Sequence, residues 1–125
     1  MKRQIIWIRI SAIALIFLGI IHLAATIMVL PMFQNLARKQ LSVFLFMYLA
    51  TGIGTMLPGL ISVFTVRRLN EKDRNAWLIL LICSIYAVIL GIGAIVSMMN
   101  NPFAYLGFII GLSLLIPTSL VKKFL

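Results

Sequence analysis

Four long apolar runs alternate with three short polar connections along this chain. The runs are Ile5–Leu30, Leu41–Val66, Trp77–Met99 and Phe103–Val121. A helix that crosses a bilayer needs about 20 mostly apolar residues, with about 18 as a working threshold. All four runs pass it. The connections are Pro31–Gln40, Arg67–Ala76 and Asn100–Pro102. About three-quarters of the chain lies in the runs, which leaves no room for a soluble domain. The pattern predicts an all-α integral membrane protein, with residues 1–125 forming one four-transmembrane-helix bundle.

The opening Met1-Lys2-Arg3 before an apolar run also fits a secretory signal. The apolar part of such a signal is about 7–15 residues long and ends at a small-residue cleavage site. Here the run is about 20 residues even when counted from Ile10, and His22 interrupts the region where a cleavage motif belongs. The first run is therefore read as a retained helix.

Composition sharpens this picture. Of 125 residues, 63% are hydrophobic and 10% charged, with a mean hydropathy of +1.17. Soluble domains are about 45–50% apolar and about 25% charged, so a soluble globular or a disordered chain is excluded. The formal charge is +9, and its placement is informative. With the N-terminus inside, Lys2, Arg3, Arg9, Arg67, Arg68, Lys72, Arg74, Lys122 and Lys123 fall on the cytoplasmic face, against Arg38 and Lys39 outside. Basic residues favour the cytoplasmic side, so both termini are expected there (N-in/C-in), in a bacterial cytoplasmic (inner) membrane. The charge is then topological, and nucleic acid is not an expected partner. Trp7 and Trp77 fall at the same inner boundary, where amphipathic rings prefer to sit, and Arg9 can snorkel to that level.

Within lipid, helices associate through small residues and scattered polar groups rather than through leucines. Each run carries one such stripe: Ser11, Gly19, His22 and Thr26; then Thr51, Thr55, Pro58, Ser62 and Thr65; then Cys83, Ala87, Gly91, Ala94 and Ser97; then Ala104, Gly107, Gly111 and Thr118. On a helix the second set falls within about 80°. Gly107 and Gly111 form a GxxxG pair, which serves a contact either within one chain or between two. In the second run Pro58 lacks an N–H and crowds the carbonyl of Gly54, so a kink or local unwinding is expected there. Thr51 and Thr55 are placed to hydrogen-bond freed carbonyls. A bend that fits the bundle and a break that opens a cavity or pore are both open readings.

The connections say less. Arg67–Ala76 holds both acids, Glu71 and Asp73, and reads as a solvated turn with local ion pairs or as a contact to anionic lipid. Pro31–Gln40 is a candidate short interfacial helix with Met32, Phe33 and Leu36 facing lipid. Asn100-Asn101-Pro102 is a tight polar turn.

His22 is the only histidine and the only potentially charged side chain well inside a run. An intramembrane ionisable residue is a candidate functional site by default. Neutral imidazole can donate and accept, so a hydrogen-bonded structural role competes with ligand contact. Tyr48 and Thr51 are expected at comparable depth, Thr26 one turn on, and Ser97 nearer the outer surface; with Thr55 these are the candidate pocket residues. A zinc site is excluded by the lack of a Cys, Asp or Glu near His22. Thioethers of Met28, Met32, Met47, Met98 and Met99 with one imidazole could suit copper or, in a dimer, haem, though methionine is also an apolar filler. No catalytic residue is expected: neither acid lies in the membrane, so a Ser/His/Asp set is absent, and so is an embedded carboxylate for proton or cation antiport.

The segment Leu18-Gly19-Ile20-Ile21-His22-Leu23 in a first helix, followed by three more spans with Gly-rich interiors, resembles small bacterial membrane proteins of the DoxX-like kind. That resemblance implies the four-helix layout, a link to quinone or thiol redox systems in some members, and a pocket role for His22. The thiol part lacks a counterpart here, since Cys83 is the only cysteine. The resulting expectation is a non-enzymatic accessory or interaction subunit in the lipid bilayer, a homo-oligomer or part of a larger membrane assembly, with a lipid- or quinone-sized pocket near His22. The alternatives are a small oligomeric channel or transporter lined by the second-helix Thr/Ser face, and a haem- or quinone-linked oxidoreductase subunit. No cofactor is required; haem, copper and quinone are the candidates if one is bound.

Overall fold

The computed structural model describes every residue from Met1 to Leu125. It contains four helices: α1 (Lys2–Val29), α2 (Arg38–Thr65), α3 (Arg74–Ser97) and α4 (Pro102–Val121). Each is long and apolar enough to cross a membrane. The chain is an all-helical, multi-pass bundle. Short 3₁₀ turns extend three of the helices: Leu30–Phe33 after α1, Val66–Glu71 after α2 and Lys122–Phe124 after α4. The helices reach beyond the apolar runs at several ends because charged residues such as Lys2, Arg38 and Arg74 do not stop a helix; the runs mark what lipid covers, not where the backbone uncoils.

Local chemistry sets the boundaries. The Asp73 carboxylate caps α3, accepting from the amides of Asn75 at 2.8 Å and Ala76 at 3.2 Å. Asn101 caps α4, accepting from Phe103 N–H at 3.0 Å, and Pro102 supplies the first helical residue without wasting a donor. Lys72 closes the α2–α3 connection with a left-handed backbone, φ 56°. Here Arg68 and Asp73 form an ion pair at 2.6 Å, while Leu69 is fully buried beneath the turn. Residues 30–37 form a 3₁₀ turn and a short bend rather than a separate interfacial helix. Met32 is exposed there, whereas Phe33 turns back onto Phe44, with ring centroids 4.0 Å apart.

Sequential helices are antiparallel neighbours, and α4 returns to α1. The tightest pairs are α1 with α2 and α3 with α4; the α2–α3 seam is the loosest of the four. Glycines explain the tight pairs. A Cβ on Gly19 would stand 2.8 Å from the Gly52 carbonyl oxygen, and one on Gly59 2.6 Å from the Ala12 oxygen. In the other hairpin, a Cβ on Gly91 would lie 2.5 Å from the Phe108 Cα, and one on Gly111 2.9 Å from the Val88 nitrogen. Two backbones touch in each hairpin, which is how helices gain dispersion contact where burial from water contributes nothing.

One side-chain hydrogen bond joins the two hairpins, and another ties α3 to α4 within the second. Ser113 Oγ lies 2.8 Å from the Ile110 carbonyl and 2.8 Å from Ser11 Oγ. Its single proton goes to the carbonyl, which can only accept, so Ser11 donates across the α1–α4 seam. Trp77 Nε1 donates to the Thr118 carbonyl at 3.0 Å. That carbonyl is available because the Lys122 amide turns to Ser119 instead.

The core is lopsided. Its fully buried side chains, including Ile8, Leu15, Ser62, Leu69, Leu80, Ser84, Leu114 and Val121, all belong to the half that holds both termini and the α2–α3 connection. Met1 and Leu125 both pack against this core. In the opposite half, burial is confined to Thr26 and to small residues such as Gly19, Gly52, Gly91 and Ala104.

Candidate functional site

The sparse half places His22 of α1 beside Tyr48 of α2. Their rings stack, with centroids 5.4 Å apart and planes 25° from parallel. Tyr48 in turn meets Phe44 at 4.6 Å, and Phe44 meets Phe33 at 4.0 Å. The four rings form one ladder from the α1–α2 connection down to the histidine. Phe44 and Tyr48 share a face because they are one turn apart on α2. The four-residue spacing of Phe44 and Tyr48 is the ladder's only signal in the sequence.

The imidazole Nε2 of His22 is buried and has no hydrogen-bond partner within the protein. Thr26 is buried, but its hydroxyl donates to the backbone carbonyl of His22 at 3.0 Å, not to the ring. Thr51 and Thr55 behave alike, bonding the carbonyls of Met47 at 2.7 Å and Thr51 at 2.8 Å. A threonine in a transmembrane helix commonly satisfies its hydroxyl this way, on its own helix.

The second-helix stripe is divided between environments. Thr51 is exposed, Thr55 and Thr65 half-buried, and Pro58 and Ser62 buried. The backbone of α2 stays helical from Arg38 through Pro58 to Thr65, so the local unwinding expected at Pro58 is absent. Gly52 and Gly59 bring α1 against α2 on either side of the proline. Gly54 faces α3 instead, where a Cβ would meet the Tyr86 hydroxyl at 3.0 Å. Ser97 is exposed and borders a groove of about 550 Å³ at the α3–α4 turn, with Met98, Asn100 and Asn101. The structure therefore joins His22, Tyr48 and Thr26 and leaves Ser97 elsewhere.

The glycine pair Gly107 and Gly111 does not act as one contact. Gly111 touches the α3 backbone, whereas Gly107 faces α1, where a Cβ would lie at an ordinary 3.6 Å from Leu18 Cδ2. The close partner of Gly111 is the α3 segment just before Gly91.

No three of the chain's His, Cys, Asp and Glu residues come together, and Cys83 is free and buried. Met28, Met32, Met47 and Met99 are each at least 60% exposed and so face the surroundings of the bundle. Two further buried polar atoms lack a partner: Ser62 Oγ in the core, and Gln4 Oε1 near the start of α1, which sequence reasoning missed. Gln4 stands one residue before the first apolar run, the only hint of it.

No protein-family model, curated protein or solved structure matches this chain.

Proposed function

We propose that this chain is a non-enzymatic membrane module that holds a lipid- or quinone-sized ligand at His22 and works as an accessory or interaction subunit. One observation carries the reading: a buried imidazole nitrogen with no protein partner, held against Tyr48 in the loosely packed half of the bundle. A buried polar atom without a partner costs about 1–3 kcal/mol. A ligand oxygen would remove that cost in either imidazole tautomer, as a carbonyl acceptor or a hydroxyl donor. The aromatic ladder supplies flat apolar surface of the kind that a quinone ring or an acyl chain fits. The resemblance of Leu18–Leu23 to DoxX-like proteins points the same way.

The proposed setting is a bacterial cytoplasmic membrane with both termini inside, supported by the nine-to-two division of basic residues. A Lys123→Cys variant labelled by an impermeant reagent from outside intact cells would refute that orientation. A second copy or a larger membrane partner is part of the proposal, because the outer half of α2 buries no residue before Gly52.

The test is titration of the purified full chain with a short-chain ubiquinone. His22→Ala should abolish binding, and Tyr48→Leu should weaken it at least severalfold. Unchanged affinity in both variants sinks the reading. Flux across liposomes that Thr55→Leu removes would put the channel reading in its place, and a visible absorption band lost with His22→Ala would favour a haem-linked subunit.

A further inference from the structure

Gln4 opens onto a groove of about 380 Å³ between α1 and α4, at the end of the bundle that holds the termini. Arg3 and Trp7 line it from α1, and Ser113, Ile116 and Leu120 from α4. The antiparallel register that aligns Ser11 with Ser113 also brings Arg3 and Gln4 level with Leu120. Three chemistries meet in it.

The first is a cation without a protein counterion. Arg3 is exposed. The chain has two acids, and the one ion pair is between Arg68 and Asp73. Charge complementarity for Arg3 must come from outside the chain. The second is unpaired hydrogen-bonding capacity. Gln4 Oε1 is buried without a partner, and turning the amide over would leave its NH₂ in the same position. Pro117, also in the wall, cannot donate to the Ser113 carbonyl one turn earlier, so a second acceptor lacks its helical donor. The third is apolar: Ile116 and Leu120 are 57% and 46% exposed, and the Trp7 indole is 50% exposed.

A cation and an amide at one level, beside an aliphatic wall with an indole, match the phosphate with its neighbouring headgroup hydroxyl and the acyl chain of one phospholipid. We infer that this groove binds one anionic phospholipid, with Arg3 on the phosphate, Gln4 on a headgroup hydroxyl, and Trp7, Ile116 and Leu120 along the first acyl segment. Phosphatidylglycerol has the required chemistry. Its hydroxyls both donate and accept, so they satisfy Gln4 in either amide orientation, and its net negative charge answers Arg3. Zwitterionic phosphatidylcholine has the chains but neither the hydroxyl donor nor the net charge. This site is separate from His22 and does not depend on the function proposed there.

The experiment is native mass spectrometry of the full chain released from nanodiscs of equal phosphatidylglycerol and phosphatidylcholine. The wild-type chain should retain one phosphatidylglycerol in preference to phosphatidylcholine. Arg3→Gln should cut that preference roughly tenfold, the scale of one charge-assisted hydrogen bond. Gln4→Leu should lower retention while raising thermal stability of the lipid-free protein, because it removes a buried unpaired group. Lys123→Gln deletes the same charge outside the groove and should change nothing. An equal loss with Lys123→Gln, or equal retention of the two lipids, overturns the site. Displacement of the lipid by millimolar glycerol phosphate overturns the acyl part of the assignment, because a headgroup-only anion site would then suffice.

Discussion

Gly91 on α3 lies directly against the backbone of Phe108 on α4, so close that a Cβ on Gly91 would stand 2.5 Å from the Phe108 Cα. The obstacle is main chain, which cannot turn aside as a side chain can. Gly91→Ala should therefore separate the α3–α4 hairpin and cost about 1–3 kcal/mol, the usual scale for overpacking. Gly93 is two residues away with nothing within 4 Å of its Cβ position. Gly93→Ala should leave the unfolding midpoint in detergent unchanged or slightly raised. Equal loss in the two variants would mean that helix propensity, not close approach, selects glycine here.

The Ser11–Ser113 hydrogen bond should behave as one unit. Either alanine variant removes the same interhelical contact, and measured contacts of this kind average about 0.6 kcal/mol. The double variant should then be little worse than either single one. Fully additive losses would show that the two hydroxyls act independently.

Acid should loosen the α2–α3 connection. The Ala76 amide, more than the Asn75 amide or the Arg68 guanidinium, holds the Asp73 carboxyl below its ordinary value of 3.8, against a smaller opposing effect of lost hydration. A folded-state value below the unfolded one means that the unfolded chain binds the proton more tightly. The contribution of Asp73 is thus complete above the ordinary value and disappears as pH falls through the lowered one. Unfolding midpoints followed from pH 6 downwards should decline around and below 3.8 in the wild type. Asp73→Asn keeps a capping oxygen but cannot titrate, so its decline should be shallower.

Trp77 carries two contacts to the end of α4: its indole N–H to the Thr118 carbonyl, and its ring beneath Lys122 Nζ, 5.7 Å from the centroid. Trp77→Phe keeps an aromatic face and loses the hydrogen bond, for about 1 kcal/mol. Lys122→Ala loses the cation and should cost about 0.5–1 kcal/mol. Faster amide exchange at Val121 and Lys122 in Trp77→Phe would report the freed helix end directly.

The four helices could be read from the chain because lipid imposes a length and forbids unpaired backbone. Their ends could not, because Lys2, Arg38 and Arg74 continue a helix beyond the region that lipid covers. The small-residue stripes pointed inward at Ser11, Gly19, Cys83, Ala87, Gly91, Ala104, Gly111 and Thr118, all of which are buried. Their pairing was hidden, since Gly91 and Gly111 complement each other across two helices while the GxxxG spacing lies within one. At the candidate site, His22 and Tyr48 were visible as rare polar groups in apolar sequence. Periodicity could not say that Thr51 turns outward or that Ser97 belongs to a different groove. An isolated polar residue can satisfy itself on its own helix, and so leaves its face undetermined.

The lopsided core divides the molecule optically. Trp7 and Trp77, its only tryptophans, both stand in the densely buried half, whereas Tyr48 and Tyr105 stand in the sparse one. Indole emission should therefore register events at the groove beside Arg3 and stay silent when only the rings around His22 rearrange. Signals from Tyr48 and Tyr105 should do the reverse. The native chain thus contains its own pair of spatially separated reporters, without any label being added.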